Sequence, residues 1–220
     1  VAVMKQFNKE LDRINGAFRT VAQTGALGAE GMSGLAKQSI NAGLSFNQFA
    51  KVVSKESQGL AFAFSTTGKA AQGLSDTTKA MRPFREQLLT LGIGVEQQNE
   101  LAAKYIVRQQ RLRRGEIRDS QALAQGSQEY AKNLVTLSKI TGQTIDATQK
   151  QQEELLADTR KGAALREIER TQGKTAFKTA NTVITTLQGI PQLKDFGTGL
   201  ADALGGAGTD ASVEFMKSVG

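Results

Sequence analysis

The 220-residue chain contains no His, Cys or Trp and has a formal net charge of +7 with a pI near 9.7. That removes the commonest general base, the commonest zinc ligand and the thiolate nucleophile, so a Ser–His–Asp triad, an H-E-x-x-H site and a C-x-x-C site are all excluded. Apolar residues make up 39%, with 10 Phe and 2 Tyr as the only aromatics, and mean hydropathy is -0.32; these values predict a water-compatible chain with a thin core.

The first element is the most regular. Met4, Phe7, Leu11, Ile14, Phe18 and Val21 alternate spacings of three and four. That is a heptad, with Met4, Leu11 and Phe18 at a and Phe7, Ile14 and Val21 at d. The charged residues Lys5, Lys9, Glu10, Asp12, Arg13 and Arg19 stand off the seam. A stripe this narrow suits a self-associating helix, and it also fits an amphipathic helix packed within its own subunit. Residues 24–44 carry Gly25, Gly28, Gly31, Gly34 and Gly43, which predicts a connector with one short helix around 35–40.

Ser45 and Gln48 form an S-x-x-Q capping box ahead of a helix bearing Phe46, Phe49, Val52 and Val53 and ending near Gly59. Leu60–Phe64 is the longest apolar run, too short to span a bilayer and readable as buried helix or short strand. Asp76 is placed to cap a helix running to Leu91, with a break near Pro83 and a stop at Gly92 and Gly94. A helix over 95–114 follows, with Leu101, Tyr105 and Leu112 on its apolar edge. Another opens at Ser120, carries Leu123, Tyr130, Leu134 and Leu137, and stops at Gly142. Thr144 caps a long polar helix over 145–172. Amphipathy resumes over 174–188 and ends at Gly189 and Pro191. The rest is a Gly-rich tail whose 196–204 stretch carries a weak membrane-contact signal.

Three features bear on chemistry. Lys104, Arg108, Arg111, Arg113, Arg114 and Arg118 form the one basic cluster, with Glu116 and Asp119 interleaved. It fits a solvated helix end, where cations suit the dipole, and it is the one candidate contact for a polyanion such as DNA. Tyr105 near Arg108 is the one local candidate for the aromatic–cation interleaving that single-strand binding would use, and it is expected to be a core tyrosine with an exposed arginine. The carboxylate pair Glu96 and Glu100 stands i,i+4, and Asp119 and Glu129 fall on the next segment; such acids are ordinarily surface charge. No phosphate loop, dinucleotide fingerprint or nucleophile elbow is present. No catalytic, cofactor or metal residue is assigned, and the chain reads as a non-enzyme.

Three stretches then read together: LSFNQFAKVVSKESQGLAFAF (44–64), TKAMRPFREQLLTLGIGVEQQNELAAKYIVRQQRLRRG (78–115) and LAQGSQEYAKNLVTLSKITGQTIDATQKQQEELLA (123–157). In order and spacing, these resemble a region of the tail tape measure proteins of tailed bacteriophages. FAFSTTGKA departs from the pattern, where more glycine is expected. The resemblance implies an extended helical virion protein in the tail lumen or tail tip that sets tail length and leaves at genome ejection. It further implies a trimeric or hexameric homo-oligomer, contact with tail tube or tip hub proteins, and passing contact with DNA or host membrane.

The expected organisation is all-α, an extended multi-helix segment of a longer polypeptide folded by oligomeric association. It comprises a heptad helix (1–23), a Gly-rich connector (24–44), a tape-measure-like helical region (45–172), an amphipathic helix (173–191) and a Gly-rich tail (192–220). Met4, Phe7, Leu11, Ile14, Phe18 and Val21 would form the oligomer seam. The alternatives are an internal capsid core or ejection protein of a short-tailed phage, a nucleic-acid-binding helical module and, resting only on unassigned glutamates, a lysozyme-like enzyme.

Overall fold

A computed structural model describes residues 2–24, 31–64, 67–113, 119–190 and 194–204. Among these the chain is all-α, with no strand. It divides into two compact units, Val1–Leu137 and Ser138–Gly220.

The first unit is built from α1 (Ala2–Gln23), α2 (Gly31–Ala42), α3 (Phe46–Lys55), α4 (Ser57–Ala63), α5 (Thr67–Ala80), a 3-10 turn (Arg82–Phe84), α6 (Arg85–Thr90), α7 (Val95–Arg113) and most of α8 (Ser120–Thr141). Helix α1 packs on α3, α2 on α3 and α5, and α4 on α5 and α7. Phe49, Leu60, Leu74, Leu88, Ile106 and Leu134 are fully buried. The core is therefore fuller than composition predicts. The reason lies in small residues: Ala50, Ala63, Ala70, Ala102 and Ala131 are buried too, so helices approach closely and fill space with backbone. At the α4–α7 contact, a Cβ added to Gly59 would stand 2.6 Å from both methyls of Val107.

Local chemistry sets most helix ends. Ser45 Oγ accepts from the Gln48 amide at 3.3 Å and Gln48 Oε1 accepts from the Ser45 amide at 3.1 Å, a complete capping box. Helices α2 and α6 end in Schellman turns at Gly43 and Gly92, with φ of 70° and 85°. In each, the following residue (Leu44 or Ile93) is buried and its amide reaches five residues back, to Ser39 and Leu88. The Arg82 and Arg85 guanidiniums cover the last α2 carbonyls, donating to Asn41 and Ala42, each at 3.1 Å. Burial and the neighbouring Arg82 charge lower the Arg85 pKa from its ordinary value.

Several expectations need correction. The connector holds a helix of 12 residues, with Gly34 and Leu35 buried; its 25–30 part lies outside the described residues. The Phe49 helix stops at Lys55, and the Leu60 run begins a separate helix at Ser57. Asp76 lies inside α5, accepting from Gln72 Nε2 at 2.9 Å, and caps nothing. Pro83 does break the chain, inside the 3-10 turn. The cap of α8 is Asp119, whose Oδ1 accepts from the amides of Gln121 and Ala122 at 2.9 and 3.2 Å.

The second unit is a helical hairpin with a third helix on it. Thr144 Oγ1 accepts from the Ala147 amide at 3.2 Å and starts α9 (Ile145–Gly189). Gly173, at φ 88° and ψ 173°, interrupts it. Lys161 Nζ donates to Gln188 Oε1 at 3.1 Å although 27 residues separate them; a straight helix would hold them about 40 Å apart. The chain thus turns back at Gly173, which agrees with separate helical segments over 145–172 and 174–188. The tail forms α10 (Lys194–Leu204), which packs on α9; Gly197 sits against Leu187 and Gln188. The Gly-rich tail holds a helix here because its small residues pack inward: Gly197 lies against Leu187 and Gln188, and Gly199 is buried too. Leu165, Ile184 and Ala201 form the core, with Phe177, Ala180 and Leu200 against it. Residues 205–220 lie outside the described residues.

Candidate association surface

The heptad of α1 is one unbroken helix from Ala2 to Gln23, so its six apolar positions line up as the spacing predicts. Their surroundings differ along the helix. Val21 is 0% exposed, inside the chain's own core, and belongs to intrachain packing. Phe18 and Ile14 are half-buried. Leu11 is 42% and Met4 66% exposed. The Phe7 side chain lies outside the described residues. The stripe is buried at its C-terminal end and open toward its N-terminus, and α1 packs on α3. A Leu and a Met exposed on one heptad face leave apolar area that a partner would remove from water, at roughly 25 cal/mol per Å2. Gly16 faces open space, so no packing explains it.

Only two members of the basic cluster have described side chains. Lys104 and Arg108 are half-buried on α7. The side chains of Arg111 and Arg113, and residues Arg114 and Arg118, lie outside the described residues. The Arg108 guanidinium stands over the Tyr130 ring, 5.4 Å from its centroid. Tyr130 in turn packs on Tyr105 with centroids 5.8 Å apart and planes tilted by 37°. This cation–aromatic stack joins α7 to α8 and passes close to Gly126, where a Cβ would overlap the Tyr105 ring. The expected exposed arginine beside a core tyrosine is instead a partly buried stacking partner. Its signal in the sequence was faint, because Tyr130 lies a helix away.

Three of the four carboxylates are similarly engaged, and Glu129 is exposed on α8. Glu96 accepts from Gln48 Nε2 at 2.9 Å and pairs with Lys51 at 3.8 Å, and Glu100 pairs with Lys55 at 3.8 Å. These contacts tie α3 to α7 along a solvated edge, where such pairs contribute little. Asp119 is taken up by the cap. Among the described residues no group of His, Cys, Asp and Glu is arranged to hold a metal, and no helix is long and apolar enough to cross a membrane. No family model, no curated protein and no solved structure matches the chain.

Proposed function

We propose that the chain is a bacteriophage virion structural protein, tape-measure-like, that works by helix association in the tail lumen or tail tip. It sets tail length and is released when the genome leaves. The observation that carries the association is the apolar stripe of α1, buried at Val21 and open at Leu11 and Met4. The assignment to a tail rests on the resemblance of residues 44–157. In this reading the open stripe is where copies meet, as a trimer or hexamer, and tail tube or hub proteins lie alongside. In this reading the chain makes and breaks no bond; Glu96 and Glu100 pair with Lys51 and Lys55, Asp119 caps α8, and Arg108 stacks on Tyr130.

Tail length tests this reading. In-frame deletions of increasing size in the phage gene should shorten tails in proportion, by about 1.5 Å per residue where the deleted part is helical and axial. Electron microscopy of the particles measures it. Tails of unchanged length would contradict the tape-measure role and favour an internal capsid core protein.

A further inference from the structure

Asn15 and Gly16 are the chain's one Asn-Gly pair, and the chain has no Asp-Gly pair. Both residues lie inside α1 and both are exposed. A Cβ at Gly16 would meet nothing within 4 Å, so packing does not call for glycine there, and glycine weakens a helix interior. The Thr20 hydroxyl donates back to the Gly16 carbonyl at 2.9 Å, a bond that loosens a helix slightly. Over residues 4–13 every described side chain is exposed. That end of α1 is therefore held by little beyond its own turns, and so short a helix is marginal in water.

An Asn followed by Gly is the least hindered setting for one intramolecular reaction, because Gly brings no side chain against the attacking group. The Gly16 amide nitrogen gives up its proton and attacks Cγ of Asn15. The bond from Cγ to Nδ2 breaks, and Nδ2 leaves as ammonia with the proton. Water then opens the cyclic imide. Cleavage at Cγ leaves aspartate; cleavage at the main-chain carbonyl leaves isoaspartate, with the backbone running through Cγ. Intact helix blocks the first step: the Gly16 N–H is bonded to the carbonyl four residues back, and helical angles hold the nitrogen off the line of attack. The reaction thus waits for α1 to open through residue 16.

We propose that Asn15 and Gly16 are a self-modification site: when α1 opens, the pair converts to aspartate and isoaspartate, and the isoaspartate cuts the open end of the apolar stripe off from its buried end. One extra backbone atom breaks the helical register, so residues 2–14 no longer continue the turns anchored at Val21. The change is one-way and consumes only water. The proposal uses α1 as a helix and involves no second copy, so it stands or fails apart from the tail and association readings.

The full chain, held in warm neutral buffer at one low concentration, provides the test. Trypsin then releases residues 14–19 as one peptide, cut after Arg13 and Arg19. Mass spectrometry reads the exchange of amide for acid, and chromatography separates the two isomers. Conversion should concentrate at Asn15 over every other Asn, run slower in the folded chain than in urea, and all but stop with Gly16→Ala. Lys9→Gly, at an exposed position off the stripe, should speed it about threefold, the ratio by which glycine weakens that turn. A folded chain that stays intact while the urea-unfolded chain converts would overturn the proposal. Equal rates folded and unfolded, or with and without Lys9→Gly, overturn it as well. Should Lys9→Gly lose more helix than α1 by circular dichroism, sucrose decides with the native chain: by favouring the folded state it should slow conversion, and an unslowed rate overturns the proposal.

Discussion

The two units bury apolar surface in opposite ways. The first spreads its core over many short helices, with Phe49, Leu60, Leu88 and Ile106 fully enclosed and alanines filling the gaps. The second hangs on Leu165, Ile184 and Ala201, between the arms of one long helix and α10. Its arms are mostly polar, and Leu155 and Val183 remain 61% and 43% exposed. Many enclosed side chains make a unit that stands on its own core. A single small cluster beside a one-residue turn encloses far less.

The two tyrosines, both in the first unit, and the absence of Trp make this comparison measurable. Tyrosine emission follows the first unit alone, and far-ultraviolet circular dichroism follows both. The largest effect should come from Phe49→Ala, which opens a cavity in the fuller core and costs about 3–5 kcal/mol; the tyrosine midpoint in denaturant should fall accordingly. Ile184→Ala should cost about 2 kcal/mol, the low end for such truncations, because its cluster is small and can collapse. It should move the circular dichroism curve and leave the tyrosine midpoint in place. A tyrosine midpoint that follows Ile184→Ala would show that the units unfold as one.

The smallest effect belongs to the solvated surface of the second unit. Arg170 donates to both oxygens of Glu167, at 2.6 and 3.0 Å. That hydrogen bonding, and then the guanidinium charge, hold the Glu167 carboxyl below its ordinary value. The stabilisation is therefore fully present above the ordinary carboxylate pKa and is lost as pH falls through the lowered one. Glu167→Gln should leave stability at neutral pH nearly unchanged, because the pair is exposed and salt screens it. It should flatten the acid limb of a stability–pH curve. An unchanged acid limb would mean that the pair contributes nothing.

What was legible in the sequence was local. Ser45 with Gln48, Thr144, Pro83, Gly92 and Gly142 act through their own backbone or a residue three away, and each falls where its chemistry places it. What escaped depends on partners distant in sequence. Gly34, Gly197 and Gly199 read as loop residues, yet they sit buried inside helices, where small size counts for more than helix propensity. Arg108 read as free charge until Tyr130, on another helix, came to face it. The heptad of α1 was readable as a stripe, but not the point along it where burial gives way to exposure, since that depends on packing against the rest of the chain.

Sedimentation of the whole chain across concentration tests the central claim most directly, run beside Leu11→Asp combined with Ile14→Asp. The account predicts a concentration-dependent trimer or hexamer for the native chain. It predicts a monomer of unchanged helicity for the variant, because unpaired charge buried in a helix seam is costly. A native chain that stays monomeric at every concentration would contradict it.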